Sequence, residues 1–148
     1  MKVIRKDKIL DKDLIDNIVN EKKTLQNTDH PFLVHMRYGF STDERLFFVM
    51  DFVRGGELYA YLKEVSRVDE KDAKLYIASL ASAIGHLHDN NLIHRDIKPE
   101  NILIDTDGYP ILADFGIAKE LPEDGDEAQG SFCGTLDYIA IEILRNEK

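Results

Sequence analysis

The stretch "HRDIKPENILI", His94 to Ile104, places an acid, a base and an amide within a few residues of one another: Asp96, Lys98 and Asn101. They sit in a turn-prone segment between a helix with a long apolar stripe and a branched, strand-forming run. Loops carried on rigid supports are where reactive groups tend to sit. Eighteen residues beyond Asp96 comes "DFG", Asp114 to Gly116. It ends a run, "ILIDTDGYPILA", that reads as a hairpin turning at Asp107-Gly108. A hairpin returns the chain on itself, so Asp96 and Asp114 are expected to approach each other. A carboxylate and an amide oxygen converging beside a second carboxylate make a hard-oxygen site of the kind magnesium takes, with waters and phosphate oxygens completing its shell.

Working outward, Ala73, Tyr76, Ile77, Leu80, Ile84 and Leu87 predict a long, well-buried helix, with Asp69 and Asp72 resembling a capping box at its start. "FLVHMRYGF" and "ERLFFVMDFV" read as two strands joined through "STDE", and "RGGE" then breaks the chain. From Asp11 to about Asn27, Leu14, Ile18 and Leu25 recur at helical spacing with Glu21 on the same face, so an acid points toward the core. "KVI" at the start reads as the tail of a strand. Lys119 to Gly134 is polar and contains glycine, as a mobile loop does. The "DTDG" at 105 to 108 lacks the later oxygen ligands of a calcium loop and reads as a turn. His86 and His88, two apart on a helix, fall on different faces and suit packing or solvation rather than a metal.

The length suits one domain, and 43% hydrophobic residues suffice for a core. With 28 acidic against 19 basic residues the formal charge is −9. That argues against nucleic acid or an anionic membrane as the main partner and is compatible with basic peptides. Cys133 is the single cysteine, and no apolar run approaches the roughly 20 residues of a membrane span. A reducing cytoplasmic or nuclear setting is the expectation, since charged residues follow Met1 at once and no signal peptide is visible.

"HRDIKPEN" followed by "DFG" matches the protein-kinase signature set. The chain resembles a eukaryotic protein kinase of the serine/threonine type, most like the AGC group. The resemblance implies an α+β, two-lobed fold, with residues 1–50 as part of the N-lobe, 51–56 as the hinge and 57–148 as part of the C-lobe. It implies ATP and Mg2+ as cofactors. Lys2 looks like the strand lysine that holds the ATP phosphates and Glu21 like the helix glutamate that pairs with it. That pairing would explain an acid on an apolar face, because a buried carboxylate is costly alone. Met50 matches the gatekeeper and Asp51 to Val53 the hinge whose backbone bonds adenine; Leu103 belongs to the same nucleotide set. Asp96 would accept the substrate hydroxyl proton, Lys98 would neutralise the transferring phosphate, and Asn101 with Asp114 would hold magnesium. "KPE" points to serine/threonine rather than tyrosine. "SFCGT" resembles the AGC activation segment: Ser131 stands at the position phosphorylated by an upstream kinase, Arg95 and Lys119 would pair that phosphate, and Thr135 would lie near the catalytic loop. Glu57, which also matches a ribose contact, and Glu100 match acids that read basic side chains of protein substrates. Leu25, Met36, His94 and Phe115 match a regulatory spine, although ordinary core packing accounts for the same residues.

The sequence also departs from the pattern. No "GxGxxG" occurs, Lys2 is preceded only by Met1, and "AIE" at Ala140 to Glu142 stands where the family has "APE" shortly before the chain ends. A kinase fold truncated at both ends is therefore expected, its N-lobe without glycine-rich strands and its C-lobe without later helices, with Met1 an internal methionine in a fragment. Such a chain would expose core faces and, alone, be weakly active or inactive. The competing readings are a non-catalytic truncated kinase acting as a binding module and a small-molecule phosphotransferase; "SFCGT" and "KPE" speak against the latter.

Overall fold

The computed structural model describes residues 1–9, 11–121 and 133–145. Strand β1 (Lys2–Arg5) pairs antiparallel with β3 (Arg45–Met50), which pairs on its other edge with β2 (Met36–Ser41), in the order β1-β3-β2. The aromatic and branched runs form the β2–β3 hairpin as expected, closed where the Thr42 N–H donates to the Arg45 carbonyl at 2.8 Å. Strand β2 nevertheless begins later than its apolar run. Phe32 to Val34 bond elsewhere: the Val34 N–H donates to the Leu112 carbonyl and the Leu112 N–H to the Phe32 carbonyl, each at 2.9 Å. These two bonds tie the sheet to a hairpin far along the chain.

Helix α1 (Lys12–Asn27) lies before that junction, ending where Thr28 Oγ1 donates to the Thr24 carbonyl at 2.8 Å. Ile18, Glu21 and Leu25 are buried along one face, as their spacing predicts, but Leu14 is 42% exposed, so the buried face starts only at Ile18. After β3 the connector Asp51–Gly56 leads to α2 (Leu58–Val65), which the sequence reading treated only as a break. Leu58 is buried and Leu62, four residues on, packs against the core, enough to seat two turns of helix. Gly55 precedes it because the chain there runs against the hairpin. A Cβ at that position would stand 2.4 Å from the Ile104 carbonyl oxygen.

Helix α3 (Glu70–Asp89) follows. Asp69 occupies its N-cap but makes no side-chain capping bond, so the expected capping box does not form; Glu70 and Asp72 act instead through their charge on the helix N-terminus. The helix is less buried than its stripe implies. Ser79, Ala83 and Leu87 are buried, whereas Ile77 is 68% exposed. His86 takes a packing role: its ring lies 5.1 Å from that of His30, whose Nδ1 accepts the Phe32 N–H at 3.2 Å.

Beyond α3, β4 (Leu92–Ile93) pairs with β7 (Lys119–Glu120), and β5 (Ile102–Ile104) with β6 (Pro110–Leu112). The β5–β6 turn is built on Asp105, whose Oδ1 accepts the N–H groups of Asp107 at 2.9 Å and Tyr109 at 2.8 Å. That carboxylate closes a turn, in accord with reading "DTDG" as such. Short helix α4 (Ile141–Leu144) ends the described chain.

Leu112 and Phe115 are fully buried, with Leu25 and Leu87 almost so. Leu112 faces Ile102 in the hairpin and carries both bonds to Phe32 and Val34. Leu112→Ala keeps those backbone bonds but opens a cavity where sheet and hairpin meet. It is expected to cost about 2–5 kcal/mol of stability, read as a lower urea midpoint at unchanged denaturant slope. A loss below about 1 kcal/mol would show that the junction is not a well-packed core.

Candidate active site

Two side-chain clusters stand out, and residues brought together from distant parts of the chain make both. In the first, Lys2 Nζ donates to Glu21 Oε1 at 2.6 Å and to Asp114 Oδ1 at 3.2 Å. Strand β1, helix α1 and the end of the hairpin thus meet at one ammonium group. The Glu21 side chain is 4% exposed, and Lys2 and Asp114 are 36% and 53% exposed. Burial works against the charge on Lys2, but the bonds and charges of Glu21 and Asp114 outweigh it and hold its pKa above the ordinary lysine value. Burial pushes the Glu21 carboxyl up, with Lys2 opposing that rise.

The second cluster surrounds Asp96. Its Oδ1 accepts the Thr135 hydroxyl at 2.9 Å, and its Oδ2 accepts Asn101 Nδ2 at 2.9 Å and Lys98 Nζ at 2.8 Å. Lys98 Nζ also donates to Thr135 Oγ1 at 2.7 Å, closing a ring of three side chains. Burial raises the Asp96 pKa, yet the bonds from Lys98, Thr135 and Asn101 outweigh it and set the carboxyl below the ordinary aspartate value. The bond to Asp96 in turn raises Lys98. Asn101, buried in the 3-10 turn Pro99–Asn101, donates a second time, to the Asp96 carbonyl at 2.8 Å. Its own carbonyl accepts the Ala113 N–H at 2.8 Å, which puts Asn101 beside the chain entering Asp114. Asn101 and Asp114 therefore offer neutral and anionic oxygens on adjoining segments, a donor chemistry that fits magnesium.

The backbone is strained at both acids. Arg95, just before Asp96, has φ +67° and Asp114 has φ +60°, values that side chains other than Asn or Asp rarely adopt. Gly134 (φ +103°) lets the segment bearing Thr135 approach closely, for a Cβ there would lie 2.8 Å from the Arg95 carbonyl oxygen.

The remaining expected residues distribute as follows. Arg95 Nε donates to the Ile117 carbonyl at 2.7 Å, and Lys119 pairs across β7 with Ile93, so both border the same short sheet. Ser131 lies outside the described residues. Met50 ends β3 opposite Met36, Asp51 and Val53 follow on the connector, and Glu57 forms a β-bridge with Leu103. Glu100 Oε2 is buried without a hydrogen-bond partner among the described residues. A cleft of about 250 Å³ is lined by Asp51, Val53, Leu33 and Ile111, but it shares no residue with the Lys2 or Asp96 clusters and is not assigned to them. Leu25, Met36, His94 and Phe115 are all buried, and the His94 and Phe115 rings lie 5.1 Å apart. Among the contacts with no counterpart in the sequence reading are Lys2 with Asp114, and a bidentate pair of Arg37 with Asp51, Nε to Oδ1 at 2.6 Å and Nη2 to Oδ2 at 2.9 Å.

The family model described as protein kinase domain matches residues 1–148. The chain belongs to the protein kinase family. Human "Serine/threonine-protein kinase Sgk2" is 49% identical over 148 residues, covering 99% of this chain and 40% of that protein. "Serine/threonine-protein kinase AtPK1/AtPK6" of Arabidopsis thaliana is 45% identical over 147 residues, 99% of this chain and 31% of the relative. "RAC-beta serine/threonine-protein kinase B" of Xenopus laevis is 42% identical over 146 residues, 99% and 30%. The chain thus spans well under half the length of the relatives it matches. Within that family it groups with the serine/threonine protein kinases of the AGC group, and its α+β architecture agrees. Among the described residues, no helix is long and apolar enough to cross a membrane.

His94 supplies a pH test of this site. Its Nε2 donates to the Ala113 carbonyl at 3.1 Å and its Nδ1 accepts the Asp96 N–H at 3.3 Å, a pattern only the neutral ring satisfies. Burial accordingly holds its pKa below the ordinary value. The unfolded chain, titrating near about 6.5, binds the proton more readily, so this contribution is present above that pH and lost as pH falls through it. His30 acts in the same sense, and Glu21, pushed up by burial, in the opposite one. The comparison of variants therefore carries the test. Stability measured by urea unfolding between pH 7.5 and 5.5 is expected to fall less steeply in His94→Tyr than in the unsubstituted chain. Equal slopes would mean that His94 titrates normally.

Proposed function

We propose that this chain carries the catalytic centre of a kinase transferring phosphate from ATP to serine or threonine of protein substrates, directed by basic residues before the target. The observation that carries the reading is the Asp96 cluster, in which Lys98, Asn101 and Thr135 fix one carboxylate from two segments of the chain. Nucleotide and magnesium, when bound, would supply the phosphoryl group and the positive charge that steadies its oxygens, and Asn101 and Asp114 would hold the magnesium. Lys2, held by Glu21, would meet the phosphates. In this reading Asp51–Val53, with Met50 and Leu103, would hold the nucleobase and Glu57 the ribose.

The wiring of Asp96 supports different work for its two oxygens. A carboxylate has about four acceptor sites. Oδ2 already takes two donors and Oδ1 takes only the Thr135 hydroxyl, so Oδ1 is the atom left to receive the proton of the substrate hydroxyl. Lys98, bonded to Asp96 and Thr135, holds the ring closed beside that oxygen and neutralises charge on the transferring group. Glu57 and Glu100 would receive arginine side chains of the substrate. Phosphate on Ser131, placed by an upstream kinase, would pair with Arg95 and Lys119. A cytoplasmic or nuclear setting belongs to the same proposal.

The 148 residues alone are expected to transfer phosphate slowly, because Lys2 and Asp114 stand 36% and 53% exposed and water is not excluded from the phosphate site. The test is transfer of labelled phosphate from MgATP to a serine peptide with arginines before the serine. Asp96→Asn is expected to lower the residual rate by about 10²–10⁴-fold. A rate indifferent to Asp96→Asn, or labelling of a sugar or antibiotic and of no peptide, would sink the reading. Equal rates with and without the arginines would remove the basic direction alone, and transfer at about 1–100 s⁻¹, the usual kinase range, would refute the expectation of weak activity.

A further inference from the structure

Arg37 has no place in the sequence reading, yet the sheet goes out of its way to aim it. Met36 pairs with Met50 and Tyr38 with Val49, which leaves Arg37 as the extra residue of a β-bulge in β2. A bulge bends its strand and redirects a side chain. Here the redirected guanidinium grips Asp51, the first residue after β3, through two parallel bonds of 2.6 and 2.9 Å. The Asp51 N–H meanwhile donates to the His35 carbonyl at 3.0 Å. Asp51 is therefore fixed at its amide and at its carboxylate by neighbouring residues of one segment, His35 and Arg37. The next residues are left open: among the described residues, the backbone groups of Phe52 and Val53 make no hydrogen bonds. The Phe52 ring is 84% exposed, so packing does little to orient it.

An open backbone edge needs a fixed direction if a planar ligand is to meet it, and the connector has few other restraints between Asp51 and the bond from the Gly55 N–H to the Ile104 carbonyl. The paired charges keep the Asp51 carboxyl below the ordinary aspartate value, chiefly through its bond to Arg37. The pair thus stays ionised well into mildly acidic solution. Both side chains are about half exposed, so solvent screens the pair and its share of global stability is small. Its consequence is local.

We propose that Arg37 is a positioning residue for nucleotide binding, holding Asp51 so that the free backbone edge at Phe52 and Val53 faces the base at a fixed pitch. This rests on the nucleotide reading given above. Arg37→Ala is expected to weaken MgATP binding by about 3- to 10-fold, the loss that follows if the binding-competent direction of the connector falls to between about a third and a tenth of the population.

Isothermal titration of MgATP into the 148-residue chain tests this, with hydrogen exchange of the peptide spanning 50–56 as a second readout that general destabilisation would not single out. Faster exchange confined to that peptide and weaker binding in Arg37→Ala, both largely restored in Arg37→Lys, which keeps a cation beside the Asp51 carboxylate, are the expected results. If the unsubstituted chain binds no MgATP, the nucleotide reading fails and this inference with it. If the unsubstituted chain binds and Arg37→Ala binds equally well, the inference alone is overturned. It is equally overturned if Arg37→Lys stays as weak as Arg37→Ala, for a cation beside Asp51 would then not be the element that matters.

Discussion

A carboxylate buried at Glu21 constrains much of this molecule. At 3% exposure it cannot remain charged in the core without a cation, and Lys2 is the cation that reaches it. Meeting that need fixes more than one bond. Lys2 belongs to β1, which is held to β3, so the ion pair sets helix α1 against the sheet, and the second contact of the same ammonium with Asp114 draws in the end of the β5–β6 hairpin. Three segments far apart in sequence meet at one ammonium, and the buried Glu21 carboxylate would lose its cation if β1 and α1 moved apart.

The Asp96 cluster follows a similar rule with different chemistry. There the restraint is hydrogen-bond accounting around a neutral histidine and a charged acid. His94 accepts the Asp96 N–H and donates to the Ala113 carbonyl, Asn101 accepts the Ala113 N–H and donates to Asp96, and so the two segments that carry Asp96 and Asp114 are bonded to each other through a ring and an amide. This network also explains how left-handed φ values at Arg95 and Asp114 persist. Such conformations cost of the order of 1–3 kcal/mol each and survive where the surroundings over-determine them, and here bonds surround both residues.

Much of this was legible in the sequence, and the reasons for success and failure are physical. Glu21 was readable because helical spacing is local: its face was given by Ile18 and Leu25, and a buried acid demands a partner. The hairpin was readable from Asp107-Gly108 between branched runs. Failures came where the decisive partner is remote. Leu14 and Ile77 continue an apolar period but find no cover among the described residues, for periodicity records which face is apolar and not how far the opposing surface extends. Asp69 sits at the N-cap its position predicts and makes no capping bond, a matter of side-chain direction that residue type does not decide. Helix α2 was missed because "RGGE" announces a break and eight residues give periodicity little room. Arg37 was invisible altogether, since a bulge is defined by the register of two strands and not by the composition of either.

The charge state of Asp96 bears on what kind of catalysis such a site would favour. Three donors hold its carboxyl below the ordinary aspartate value, and a carboxylate so stabilised is a poor proton acceptor. Were abstraction of the hydroxyl proton the main barrier, those donors would be a disadvantage, since an effective base has a pKa near the working pH. They are no disadvantage where the hydroxyl is still largely protonated as the phosphoryl group departs, because a loose transition state asks the acceptor to orient the attacking oxygen more than to strip it. On that reasoning the bonds to Asp96 trade basicity for direction: Thr135 and Asn101 fix the plane of the carboxylate, and Lys98 holds its charge. For the phosphoryl transfer proposed above, such a carboxylate would serve the alignment of the two oxygens about phosphorus, where a small error of angle costs more than a weak base.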